Sequence, residues 1–507
     1  MELELKKETL RCWEPVCHMT LEQEATTETI VPDACPDVWQ VLDGEGHLFL
    51  QRREAQDGKA ECAGLIRTAI LYQPEGGEGV RSMEVTTPFS VSPEVPRLTK
   101  RCMLNVRARV LSVDVHLLNP RKVLVRVGYS LELAGYAPAA LAPASRTEEA
   151  ERWGIRQKTE TCSSLTTGAV QEKTFTYTDA LVLPSGKPEA EALLRARAEC
   201  VCTEAKIIGN KLVFKGEAVL QVLCRDGAGK PFGEAFHLPF SQIMDAGEES
   251  EDGLCALNLF LSDVKCTLDG EDRRSLQVEL EMEAQAVIRR EITCTLLRDL
   301  YSTAYEVETE ETQFSLSRLS GQGEEQESVR EVLEAGAEPT DLYDVQVRLG
   351  RTGQTWEGKD RILRQEAELT VLYGSGEGAG CLHRTVTVPH RLTGQEAGDC
   401  EFTCQLLRMP AAAPAGKGVE VSFDLSFRWM TLEGETVTAI SRVTAGERRE
   451  SGGETPSVIL RTVKPGETLW DVAKSCAAGD REILEASGLS SEELYPGQML
   501  LIPKQAG

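Results

Sequence analysis

Lys59-Ala-Glu-Cys-Ala-Gly-Leu-Ile-Arg-Thr-Ala-Ile-Leu-Tyr72 runs with near-alternation of apolar and polar residues into an aliphatic-Leu-Tyr ending. A period of two puts alternate side chains on one face of a pleat, so the segment reads as a half-buried β-strand. The pattern is written twice more, as Lys211-Leu-Val-Phe-Lys-Gly-Glu-Ala-Val-Leu-Gln-Val-Leu-Cys224 and Ile362-Leu-Arg-Gln-Glu-Ala-Glu-Leu-Thr-Val-Leu-Tyr373. A proline follows each copy at almost constant distance, in Pro88-Phe89, Pro239-Phe240 and Pro389-His390, and these prolines lie 151 and 150 residues apart. Self-similarity at a fixed period marks a repeated structural unit, so one β unit occurs three times.

Each copy closes with a long alternating strand. One face carries Val123, Val125, Val127, Tyr129, Leu131 and Leu133 in the first, Leu276, Val278, Leu280, Met282, Ala284 and Ala286 in the second, and Val419, Val421, Phe423, Leu425, Phe427 and Trp429 in the third. The opposite faces are polar, as in antiparallel sheets with one wet side. Apolar residues at three- and four-residue spacing predict a short helix opening each copy, at 37–43, 189–195 and 328–334. On that alignment Leu42 to Tyr72 and Leu194 to Cys224 each span 30 residues and Leu333 to Tyr373 spans 40, which places an insertion of about ten residues near Gly350 and Gly353. The Ala/Pro run 137–145 and the Gly/Glu-rich run 445–456 read as linkers, and 321–327 as a surface insertion. The expected fold is mainly β with minor α: three antiparallel, sandwich-like domains at 1–145 (with its linker), 165–310 and 311–447, and a small βααβ domain at 457–507.

Composition narrows the function. The 507 residues carry a net charge of −26, a field that repels phosphate backbones and anionic lipid, so nucleic acid is not an expected partner. No run approaches the ~18–20 apolar residues that cross a bilayer. The opening Met-Glu-Leu-Glu-Leu-Lys-Lys-Glu lacks the basic-then-apolar order of a secretory signal, so a cytosolic chain is expected. Sixteen cysteines are scattered without a Cys-x-x-Cys; only Cys12, Cys17, His18 and Cys35 stretch toward a zinc pattern, and reduced, metal-free thiols are expected. Six histidines leave Cys381 and His383, two apart on one strand face, as the nearest Cys-His pair. Neither Gly321-Gln-Gly323 nor Gly374-Ser-Gly376 is followed by Lys-Ser/Thr, so no phosphate loop is present. The expectation is no enzyme, no cofactor and no metal.

The last fifty residues have their own grammar. A strand at 458–463 leads to the Pro465-Gly466 turn; Thr468 caps a helix whose Leu469, Val472 and Ala473 face inward; a second helix spans 481–486; and Pro496-Gly497 returns the chain to a strand at 499–502. With its Gly-Glu-Thr-Leu-Trp opening and Pro-Gly-Gln-x-Leu-x-Ile-Pro ending, this segment resembles a LysM domain. The upstream copies resemble the SPOCS repeat of spore-coat proteins, through Pro36-Asp37-Val38, the hairpin 64–72, Pro88-Phe89 and Asn119-Pro120-Arg121-Lys122. The later copies drift, with Cys224 for Tyr and His390 for Phe. Three such repeats before a LysM domain is the layout of the SipL-type spore-coat morphogenetic proteins of endospore-forming clostridia.

That resemblance implies a non-enzymatic scaffold in the mother-cell cytoplasm, at the forespore surface and in the spore coat. It also implies that the LysM domain docks on a morphogenetic ATPase and that other coat proteins are partners. LysM domains otherwise bind N-acetylglucosamine of peptidoglycan in a groove that 464–468 and 486–489 would line here; Ser487 replaces the usual Asn, which makes peptidoglycan the second expectation. A fifty-residue domain keeps few apolar groups outside its core for stability alone, so Trp470, Leu489 and Tyr495, beside Gly466, Thr468 and Ser487, are the expected partner-binding residues, with Trp470 equally suited to pure core packing.

Overall fold

The computed structural model describes residues 1–76, 79–247, 253–376, 378–394, 398–449 and 458–503. The first strands are β1 (Leu5–Lys7), β2 (Leu10–Ile30), β3 (Val38–Gln56), β4 (Lys59–Pro74), β5 (Arg81–Val91), β6 (Met103–Asn119), β7 (Lys122–Leu141) and β8 (Ala144–Thr147). The second set is β9 (Ile155–Val182), β10 (Ala192–Ile208), β11 (Lys211–Arg225), β12 (Pro231–Asp245), β13 (Leu254–Leu268) and β14 (Ser275–Ser302). The third is β15 (Tyr305–Glu334), β16 (Asp341–Glu357), β17 (Asp360–Ser375), β18 (Gly378–Leu392), β19 (Asp399–Leu406), β20 (Ala411–Ala415) and β21 (Gly418–Arg448). The chain then forms β22 (Val458–Thr462), α1 (Leu469–Cys476), α2 (Asp480–Ala486) and β23 (Met499–Pro503). The protein is mainly β with minor α.

The three quoted stretches fall on β4, β11 and β17, each the centre of a three-stranded antiparallel sheet (β3-β4-β5, β10-β11-β12, β16-β17-β18). The long closing strands β7, β14 and β21 belong to the facing sheets, with orders β2-β7-β6, β9-β14-β13 and β15-β21-β19. The single pairing Trp13↔Thr167 joins the first two facing sheets into six strands. Alternation decides what lies between the layers: Val123 to Leu133 pack against Ile66, Ile70 and Tyr72, Leu276 to Met282 against Ala218, Leu220 and Val222, and Val419 to Phe427 against Leu363, Ala367, Leu369 and Val371.

Several local expectations are corrected. No opening helix forms: 38–43 is the start of β3, 192–195 the start of β10, and 328–334 the end of β15. In the first two units the cause is a bulge, whereas 328–334 has none and the exposed Val332, beside Val329 and Leu333 on β15, supplies the three- and four-residue spacing. Register shifts between Val41 and Asp43 and between Leu193 and Arg195 push Leu42 and Leu194 out of the alternation, and the extra residue imitates a helical spacing. The counterpart in the third unit is the bulged Tyr343, between Leu342 and Asp344, so Tyr343 to Tyr373 also spans 30 residues and the ten-residue insertion disappears. The run 137–141 continues β7 opposite Leu10 to Glu14 rather than linking domains, and 321–327 lies within β15, paired to β21. Residues 445–448 belong to β21, Arg449 follows with its N–H on the Ala304 carbonyl at 2.9 Å, and 450–456 lies outside the described residues.

The third Pro-aromatic pair is also displaced. Phe89 lies opposite Gly64 and Phe240 opposite Gly216, whereas the equivalent Gln365 faces Val388, two positions before His390. A Cβ on Gly64 or Gly216 would stand 2.9 or 2.5 Å from the phenyl ring. Gln365 fills that space in the third unit, donating from Nε2 to the Gly350 and Glu366 carbonyls, and no ring can sit there.

Equivalent residues of the three units meet at one place. β5 touches β10, β12 touches β16 and β18 touches β3, which closes the units on one another. The bulged Leu42, Leu194 and Tyr343 and their neighbours Leu71, Leu223 and Leu372 share an apolar cluster. Beside it lies a charged layer from the next positions of the same strands: Asp43 and Glu45, Arg195 and Arg197, Asp344 and Gln346. Arg195 Nη1 donates to Asp43 at 2.5 Å and its Nη2 to Asp344 at 2.8 Å, while Arg197 grips Asp344 bidentately at 2.7 and 2.8 Å. Glu45 accepts from Gln346 at 2.7 Å and from Arg197 at 3.2 Å. Burial alone would raise the Glu45 carboxyl, but Arg195, Arg197 and His47 outweigh it and hold it well below the usual range. The same contest, won by Arg197 and Arg195, lowers Asp344.

Candidate functional site

The C-terminal domain is a two-stranded hairpin, β22-β23, with two short helices on one face. Thr468 and Asp471 form a reciprocal capping box, the Thr side chain accepting from the Asp471 N–H and the Asp carboxylate from the Thr468 N–H at 2.9 Å. Val463, Leu469, Val472, Ala473, Ala478, Ile483, Leu500 and Ile502 make its small core. Tyr301, at the end of β14, completes that core: it is buried, and its hydroxyl donates to the Ala478 carbonyl at 2.8 Å.

Trp470 is where the domain is held. Its Nε1 donates to Asp299 Oδ2 at 2.7 Å, and its ring meets Tyr301 edge-on at 5.0 Å. Lys474, one turn further along α1, reaches the other Asp299 oxygen at 2.6 Å, and Arg156 of β9 reaches Glu482 of α2 at 2.7 Å. The helix face is therefore spent on the second unit, and Trp470 serves neither the domain core alone nor an open surface.

The other expected residues divide. Gly466 adopts φ +82° in the turn before α1, a conformation that favours glycine, and its surroundings are open. Ser487 Oγ accepts the Leu501 N–H at 2.9 Å and ties the end of α2 to β23, so this hydroxyl has a structural task. Leu489 is half-buried against the core, whereas Tyr495 is 69% exposed. The structure thus brings Tyr495 to solvent, keeps Leu489 at the rim, and gives Thr468 and Ser487 to the framework.

A second set went unread in the sequence. Val458, Leu460, Met499 and Leu501 are exposed, and cross-strand pairing sets Leu460 opposite Leu501 and Thr462 opposite Met499. Together they make the hairpin face that points away from the helices. The signal was present in Val458-Ile-Leu and Met499-Leu-Leu-Ile, where apolar residues fill both strand faces although helices cover one.

Elsewhere, Cys12 and Cys17 lie on β2 and His18 is paired with Glu132 at 3.2 Å, while Cys35 sits in the loop before β3, where Arg121 Nη1 donates to its carbonyl at 2.8 Å. All sixteen cysteines are unpaired. Cys381 and His383 do share a face of β18, and Asp43 joins them across the seam. No helix among the described residues is long and apolar enough to cross a membrane.

A model described as LysM domain matches residues 462–503, and one described as SipL, SPOCS domain matches residues 37–118. No curated protein matches the chain, and no solved structure does. Both matched modules are non-catalytic binding domains, and together they fit a sporulation coat protein that binds peptidoglycan or protein. The chain carries, then, a SPOCS domain of the SipL type and a C-terminal LysM domain, the modules of a SipL-type sporulation protein.

Proposed function

We propose that the protein is a non-enzymatic scaffold of the spore coat, at the forespore surface in the mother-cell cytoplasm, and that its LysM domain docks on the morphogenetic ATPase while the repeats tether other coat proteins. One observation carries this reading: the domain is anchored by its helix face through Trp470 and Tyr301, and it offers outward an apolar hairpin face of Val458, Leu460, Met499 and Leu501 beside the exposed Tyr495. Apolar and aromatic groups displayed on a domain that needs every such group for its core suit a protein interface. A glycan would instead use the 464–468 and 486–489 segments, where Lys464, Gly466 and Gly488 are exposed but Ser487 is already bonded to β23.

The test compares wild type with Tyr495→Ala and Leu460→Asp in a pull-down of the ATPase from sporulating cells and, separately, on purified peptidoglycan. Both variants should keep the wild-type circular dichroism and melting curve yet lose the ATPase by at least about tenfold, the order expected for an interface anchor. Undiminished ATPase capture would refute the patch, and avid retention of the wild type on peptidoglycan would favour the wall-binding reading.

A further inference from the structure

The three seams that close the repeats are equivalent in position and different in chemistry. Strand pairing sets Ser82 opposite Leu71, Gly233 opposite Leu223 and Cys381 opposite Leu372, and two residues on, Glu84, Ala235 and His383 occupy matching places. The residues that follow the bulge on the strands across the three seams are Arg195, Asp344 and Asp43. Only the third seam collects thiol, imidazole and carboxylate: the ligand atoms of Asp43, Cys381 and His383 all lie within 4.8 Å of one another, the one such group of three among the described residues.

We infer that Asp43, Cys381 and His383 form a zinc site that staples the third unit to the first. The donor set selects the metal, since thiolate and imidazole suit zinc and exclude magnesium or calcium. His383 Nε2 stands 3.7 Å from Asp43 Oδ1, close to the roughly 3.3–3.7 Å between ligand atoms that tetrahedral zinc bonds of about 2.0–2.3 Å impose. The two oxygens of Asp43 divide their work, because Arg195 holds Oδ2 and leaves Oδ1 toward the histidine. Thr370 Oγ1 lies 3.3 Å from His383 Nδ1, the outer-shell contact that fixes a ring for coordination through its other nitrogen.

Asp43, Glu45 and Asp344 pair with Arg195 and Arg197, and His47 lies on Glu45, while Arg348 beyond them is taken by Glu368. Access is open, because the His383 side chain is 46% exposed while Asp43 is buried. On binding, the Cys381 thiol releases its proton to solvent as the Zn–S bond forms, and water completes the tetrahedron.

Full-length protein, reduced and stripped with a chelator, is titrated with Zn²⁺ and with Co²⁺. One equivalent should bind, with a near-ultraviolet thiolate-to-cobalt band, and zinc should raise the melting temperature. His383→Gln, at a half-exposed position, should fold normally yet weaken zinc by at least about a hundredfold, since even outer-shell changes cost 10–100-fold. Cys381→Ser should abolish the cobalt band. Substoichiometric binding, or one equivalent retained unchanged by both variants, overturns the assignment.

Discussion

Trp470 changes meaning with its surroundings. In a fifty-residue domain an aromatic on the first helical turn is core or contact; in the whole chain it is a hydrogen-bonded peg on Asp299, 171 residues away. No reading of residues 458–503 could show this, because Asp299 and Tyr301 carry no motif and proximity arises only when β14 ends beneath α1. Thr468, by contrast, was legible as a cap, since capping depends on residues three apart. Asp299→Ala should free the Trp470 indole and Lys474 together, visible as a red shift of tryptophan emission and faster hydrogen exchange in 458–503, with a cost of about 1–3 kcal/mol to the docked state. The buried acids make a second residue-level prediction. Glu45 and Asp344 are held below their ordinary values in the folded state, so their contribution is complete above the unfolded carboxylate range and is lost as pH falls through and below it. Unfolding free energy measured from pH 7 to pH 3 should drop less steeply in Glu45→Gln, which starts from a lower stability.

Among elements, the β4, β11 and β17 strands were readable because alternation follows from the pleat alone, and the closing strands for the same reason. The openings of β3 and β10 were not, since a bulge inserts one residue and makes a strand look helical over seven positions, nor was the end of β15, where the exposed Val332 stands three residues after Val329 and next to Leu333. The Pro389-His390 pair misled in a related way: the third unit keeps the proline but swaps glycine for Gln365, so its aromatic ring moves two residues along and His390 stacks on Phe427 at 5.1 Å instead. The glycine is thus tied to the ring. Gly216→Ala would place a Cβ 2.5 Å from both Phe240 and the Val201 carbonyl, and should destabilise by about 1–3 kcal/mol as overpacking does. Pairing it with Phe240→Leu should recover part of the loss in chemical denaturation, whereas equal losses in both backgrounds would show that the backbone contact dominates.

At the scale of the molecule, the three units are joined by side chains that cannot be buried alone. Removing one partner from a buried ion pair costs about 3–5 kcal/mol, because the other charge stays desolvated. Asp344→Ala should therefore lower the stability of all three units together, read as one shifted urea transition rather than a new early phase. A fragment ending after β8 would keep Asp43 and Glu45 without Arg195 and Arg197, and should unfold at lower urea than the same unit within the chain.

That charged layer also bears on how such a chain is inherited. In a chain of tandem copies, units that are interchangeable could be lost or exchanged without harm to folding. Here they are not: the middle unit alone brings the two arginines, and the flanking units bring the acids. A gene that dropped its central copy would encode acid facing acid in a dry seam, and one that duplicated an outer copy would add a carboxylate with no guanidinium to meet it. The mismatch ties the middle unit to its neighbours, so losing or exchanging a copy leaves buried charge without a partner.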